Sequence, residues 1–169
     1  MGKVLSKFTN GWPGTVSRVK DDVIVSLKNV GQTAINFGDP VFLYNGVTPG
    51  GVRGFISGTT TENDFVGFAV RVPDKTPDSY GSGQEGADST GAWAPGDTAD
   101  ILVRGSTAVP IQTANAKIGD KVYIRLSDQR LVTAAGESGT TAELPNVTVR
   151  GSRDSRGFCE VTVTKRNVI

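Results

Sequence analysis

The sequence predicts an all-β protein: a compact β-barrel or sandwich with an extended N-terminal arm and a long Gly/Pro-rich loop. Three observations predict it. Short runs alternate apolar and polar residues and are rich in β-branched side chains, as strands on half-buried sheets should be. No window sustains a 3.6-residue apolar period, so no long helix is expected. The chain's 22 glycines punctuate these runs. Many short strands with Gly/Pro punctuation are the mark of a sandwich or barrel.

The strands follow in order. Val23-Ile24-Val25-Ser26-Leu27 places Val23, Val25 and Leu27 on one face. Phe65 to Val72 alternates so as to put Val66, Phe68, Val70 and Val72 together. Ala99 to Arg104 turns Ile101 and Val103 inward. Lys121 to Leu126 does the same with Val122, Ile124 and Leu126. Val161 and Val163 continue the face of Cys159 near the end of the chain.

Turn chemistry separates them. Asn10-Gly11 and Asn45-Gly46 supply the positive φ that tight turns need. Gly38-Asp39, Gly96-Asp97 and Gly119-Asp120 each open a strand, a weak internal echo. Glycine takes the unusual backbone angle and aspartate bonds nearby amides, so these pairs are structural.

Two segments do not read as core. Residues 1–20 are basic and aperiodic, and form the expected arm. Residues 21–169 form one β domain, with residues 73–98 as a loop insertion rich in Pro, Gly, Ser and Asp. A loop of that length is usually functional or mobile. It carries Tyr80 and Trp93, which are costly to expose, so it is expected to pack on its own domain or on a neighbour.

Composition narrows the function. A chain of 169 residues suits one domain and buries enough surface to fold without staples. The single cysteine, Cys159, excludes an intrachain disulfide and sits in an alternating run as a buried, inert thiol. There is no histidine, which removes Ser-His-Asp and Cys-His catalysis and His-ligated zinc. A non-enzymatic protein is expected. A glycosidase using paired carboxylates is a remote third reading, because no acids are paired at recognisable strand ends.

The net charge of +1 gives no case for nucleic acid binding. Its distribution is uneven. Residues 1–20 carry Lys3, Lys7, Arg18 and Lys20 without an acid, and residues 62–100 carry eight acids against Arg71 and Lys75. Residues 150–169 are basic again. This is either surface scatter or complementarity between copies or with a partner. No apolar run is long enough to span a bilayer, and no signal peptide is apparent. No membrane partner is expected.

Motif matches fail on context. Gly81-Ser82-Gly83-Gln84-Glu85-Gly86 fits a phosphate-cradle string, but neither a strand before it nor a helix after it is predicted. The acids of residues 62–100 lack the spacing of a calcium loop. Gly2 and Ser6 fit a short acylation pattern, and Asn146-Val147-Thr148 a glycosylation sequon. Both are short patterns that arise by chance. No cofactor is expected.

The residues do resemble a known family. Gly11-Trp12-Pro13-Gly14-Thr15-Val16, then Asp22 to Ser26, then Ile35-Asn36-Phe37-Gly38-Asp39-Pro40-Val41, look like the opening of tailed-phage structural cement, or head decoration, proteins. Phe65 to Ala69 is similar to that family's central strand. Tyr80 to Trp93, then Ala94-Pro95-Gly96-Asp97, resembles its approach to a strand ending in Arg104-Gly105. Gly119 to Tyr123 and the terminal valine-rich strand also fit. The loop 73–98 and the segment Ala135–Leu144 depart from the pattern by their length.

The resemblance implies a β-tulip-like barrel, often trimeric, on the outer surface of the phage head. Its partners would be the major capsid protein and further copies of itself, and it would clamp neighbouring capsid subunits. The expected contact residues are Lys3, Lys7, Trp12 and Arg18 in the arm, with Tyr80 and Trp93 in the loop, since aromatic and basic side chains anchor interfaces. The alternative for Trp12 is a local plug beneath the first turn. The alternative for the whole chain is a carbohydrate-binding or adhesin module whose loop aromatics stack on sugars.

Overall fold

In a computed structural model, residues 10–17, 21–44, 50–56, 60–72 and 91–167 are described. They form β1 (Val23–Lys28), β2 (Ile35–Asn36), β3 (Pro40–Tyr44), β4 (Gly51–Gly54), β5 (Phe65–Ala69), β6 (Ala92–Trp93), β7 (Thr98–Pro110), β8 (Lys121–Arg125), β9 (Leu131–Val132), β10 (Thr141–Val149) and β11 (Phe158–Val163). A short 3-10 turn, Glu62–Asp64, leads into β5. The all-β expectation is met.

One long strand organises the rest. The described strands form a nine-stranded sheet in the order β4-β3-β5-β7-β11-β10-β8-β9, with β1 also on β7. The first half of β7 lies between β1 and β5. Its second half pairs with β11, Gly105 opposite Val163 and Pro110 opposite Phe158. The changeover falls at Gly105, whose φ of +122° suits only glycine. A Cβ there would collide with the Asp22 carboxylate. The strand expected to end at Arg104-Gly105 therefore bends and continues instead.

The bend makes two cores. The first lies between the two halves of the sheet. Phe42, Phe65 and Phe68 meet Val122, Ile124, Leu144, Val161 and Val163 there. Its phenyl rings pack edge to face, with Phe42–Phe65 at 5.8 Å and Phe65–Phe68 at 5.4 Å. The second lies inside the curl β4-β3-β5-β7-β1. Val41, Val52, Val66, Ala69, Ile101 and Val103 line it, with Val23, Val25 and Leu27 half buried at its margin. The curl is drawn shut where Asn29 bridges Val52. Ile35, Phe37 and Trp93, carried on and beside the small β2–β6 sheet, plug it.

β5 corrects one reading. Val66 and Phe68 were expected on one face. Instead Phe65 and Phe68 enter the first core, and Val66 and Ala69 the second. The register slips between Val41 and Phe42, so β5 carries one extra residue and its alternation shifts. A strand buried on both sides shows no polar face to reveal this.

The Gly-Asp echo is a repeated turn. Gly38, Gly96 and Gly119 have φ of +79°, +89° and +93°. In each case the aspartate N–H bonds the carbonyl three residues back: Asn36, Ala94 and Lys117, at 3.1, 3.0 and 3.1 Å. In each case the aspartate Oδ2 accepts from the N–H of that same residue, at 3.1, 3.0 and 2.8 Å. The side chain closes the turn from the opposite direction to the backbone.

Candidate protein-interaction site

Four of the six expected contact residues, Lys3, Lys7, Arg18 and Tyr80, lie outside the described residues. The structure places the other two, and it separates them.

Trp93 belongs to the core. It sits in β6 with Ile35 opposite and is 5% exposed. Its indole Nε1–H donates to Val70 O at 3.1 Å, and its ring meets Phe37 edge-on at 6.2 Å. This corrects its assignment as a partner-facing anchor. Residues 91–97 fold back as β6 and a Gly-Asp turn, so this end of the insertion packs on its own domain.

Trp12 sits at the described end, the root, of the segment expected to form an arm. Residues 12–15 form a tight turn, Thr15 N–H to Trp12 O at 3.0 Å, with Pro13 setting φ and Gly14 at φ +75°. The next residues join the sheet. Gly14 N–H bonds Ala108 O at 2.8 Å, Ser17 N–H bonds Ser106 O at 2.9 Å, and Val16 bridges Thr107. Arg71 N–H reaches Gly14 O at 2.9 Å. A side chain at Gly14 would strike Ala69 O and Arg71 N. The described residues 10–17 thus run beside the second half of β7, bridged to it at Val16.

The turn between β10 and β11 grips this root. Asp154 accepts from the N–H groups of Asn10, Arg156 and Phe158 at 3.1, 3.0 and 3.0 Å. Burial alone would raise the pKa of its carboxyl. The three N–H donors and the Arg156 guanidinium outweigh burial and hold it below its usual value. Asn10 in turn donates from Nδ2 to Ser152 O and Phe158 O, both at 2.8 Å. Further along, Ser17 Oγ–H donates to Glu160 Oε1 at 2.7 Å.

Trp12 lies half buried among these groups. Arg156 stands over its ring at 4.5 Å and donates to Gly11 O at 2.8 Å. Phe158 packs against it at 6.4 Å. Arg71 lies 5.9 Å from Trp12 and 5.7 Å from Phe37, and its Nη1 and Nη2 have no hydrogen-bond partner among the described residues. The local-plug alternative therefore accounts for the buried part of Trp12, and the rest of the ring remains at the surface.

Sequence reasoning missed Asn10, Arg71, Asp154, Arg156 and Phe158. Asp154 to Gly157 is a legible Gly/Asp turn, but nothing local marks its partner at the other end of the chain. Elsewhere, a cleft of about 510 Å³ is lined by Val30, Gln32, Thr33, Tyr44, Arg53 and Ile56. Arg53 covers the Tyr44 ring there at 4.6 Å. Among the described residues no cluster of three or more acids or cysteines is placed to hold a metal. Cys159 is buried, and burial pushes its thiol up to about 11.

The family described as structural cement protein (E217 gp24/Pam3 gp6) matches residues 3–164. Among solved structures, a chain from the capsid of the Myoviridae phage XM1 shares the fold with a TM-score of 0.69 at 16% identity. The alignment covers 97% of this chain and 96% of that one. No curated protein sequence matches.

Proposed function

Because this chain belongs to the phage structural cement protein family, with a capsid-associated structural role, we propose that it binds the outer surface of the head and bridges neighbouring major capsid proteins. It would do so as a homotrimer near local threefold positions, with the arm as its grip. The family match across nearly the whole chain carries this reading.

The arm root supports it mechanically. An arm tied to β7 by main-chain bonds, and to the β10–β11 turn through Asp154, passes a pull directly into the sheet. Many such grips on one shell add through multivalency. If the protein binds only the expanded lattice, it stabilises that lattice by linkage. The carbohydrate alternative loses one of its two loop aromatics, since Trp93 is held in the core.

The test removes residues 1–9 and leaves the docked root, residues 10–17, in place. Co-sedimentation with expanded capsids is expected to show weaker binding. Unchanged affinity would refute the arm as the grip. Particle reconstruction that found the protein inside the head or in the tail would refute the placement.

A further inference from the structure

β1 lies at the margin of the curl. It pairs with β7 along one side. On the other side β4 meets only its far end, where Asn29 bridges Val52 and Val30 N–H bonds Val52 O at 2.9 Å. Among the described residues no strand runs along the outer side of Val23 to Leu27. Such an edge offers unpaired N–H and C=O groups, and proteins usually guard it with proline, an inward charge or a covering segment. β1 contains no proline, and its one charge, Lys28, stands at its end and is exposed. The inner row, Val23, Val25 and Leu27, is only half buried, and Ile24 on the outer row is 46% exposed.

The strand is also electrically polar. Asp21 and Asp22 precede it and Lys28 closes it. The Asp21 side chain is 81% exposed, with a loose 3.8 Å pairing to Arg104. Among the described residues, the buried Asp22 Oδ2 has no hydrogen-bond partner. Two copies of β1 side by side in parallel would set like charges together. Run antiparallel, each Lys28 comes beside the acidic start of the other copy. Pairing about Val25 also lays Val23, Val25 and Leu27 against Leu27, Val25 and Val23, so the apolar rows stay on one face.

We infer that the outer edge of β1 is a docking site for β1 of a second copy, antiparallel about Val25. Main-chain bonds supply the attraction, and the charged ends set the direction. Such a contact is isologous and joins copies two at a time. As a twofold contact it differs in symmetry from the proposed threefold one, and it does not depend on capsid binding.

The purified full chain tests this by sedimentation velocity over a concentration series. Lys28→Glu and Asp21→Lys alter exposed side chains and should leave the thermal melt unchanged. Each is expected to weaken pairwise association by about tenfold, and mixing the two variants should restore it, because the charges again match. Val25→Lys sets two cations face to face and should abolish the pairing; if it fails to fold, the charge variants decide. A wild-type chain that shows no pairwise association would assign the edge to a strand of another protein and overturn the inference. Association unchanged in both charge variants, or not restored on mixing, would also overturn it.

Discussion

Arg156 holds its guanidinium 4.5 Å from the centre of the Trp12 ring while donating to Gly11 O, and so ties the two ends of the chain together. A partly desolvated cation–π contact is worth about 0.5–2 kcal/mol, and a charged hydrogen bond adds to it. Arg156→Ala is expected to lower unfolding stability by about 2 kcal/mol in chemical denaturation. Hydrogen exchange should quicken at Gly14 and Ser17 before the core. Equal protection at those amides would show that the contact does not hold the root.

Asp154 makes the same latch sensitive to acid. Its folded pKa lies below the ordinary value of 3.8, so folding favours the carboxylate. Its contribution is fully present above the unfolded pKa and is lost as pH falls through the folded one. Asp154→Asn should therefore flatten the decline of stability below about pH 4. Asp154→Ala leaves three N–H groups without their acceptor and should cost about 2–3 kcal/mol at neutral pH. Denaturation curves across pH would check both.

Two glycines with positive φ should respond differently. Gly119, at φ +93°, has open space where a Cβ would go, so Gly119→Ala carries conformational strain alone, about 1 kcal/mol. Gly105→Ala adds a collision with Asp22 at the bend of β7 and should cost about 3 kcal/mol or more. Equal costs would mean that the bend does not depend on that close approach.

Cys159 should be unreactive while the protein is folded. With the thiol near 11 and buried, little thiolate exists at neutral pH and none is accessible. Labelling by a thiol reagent is expected to follow the global unfolding rate. Labelling that is fast and proportional to reagent concentration would contradict this.

Trp93→Phe separates core from interface. It loses the bond to Val70 O and should destabilise the fold by about 1–2 kcal/mol. Capsid binding by the folded fraction should be unchanged. A selective loss of binding at intact stability would return Trp93 to the contact surface.

The sequence by itself determined the features whose partners lie close along the chain. The alternation of β1 reads directly as half-buried Val23, Val25 and Leu27 against exposed Ile24, Ser26 and Lys28, because a strand repeats every two residues. The three Gly-Asp turns were legible because donor and acceptor sit three residues apart. The extra residue of β5 was not legible, since a strand buried on both faces looks apolar throughout. Nor was the passage of β7 through Gly105, which depends on Asp22 lying beside it. The placement of the candidate contact residues falls in this second class. Trp12 and Trp93 look alike as exposed aromatics in irregular segments, and only tertiary packing set one at the arm root and the other in the core. Local chemistry decides turns and strand faces, but which sheet face or distant turn a side chain meets depends on contacts between residues far apart in the chain.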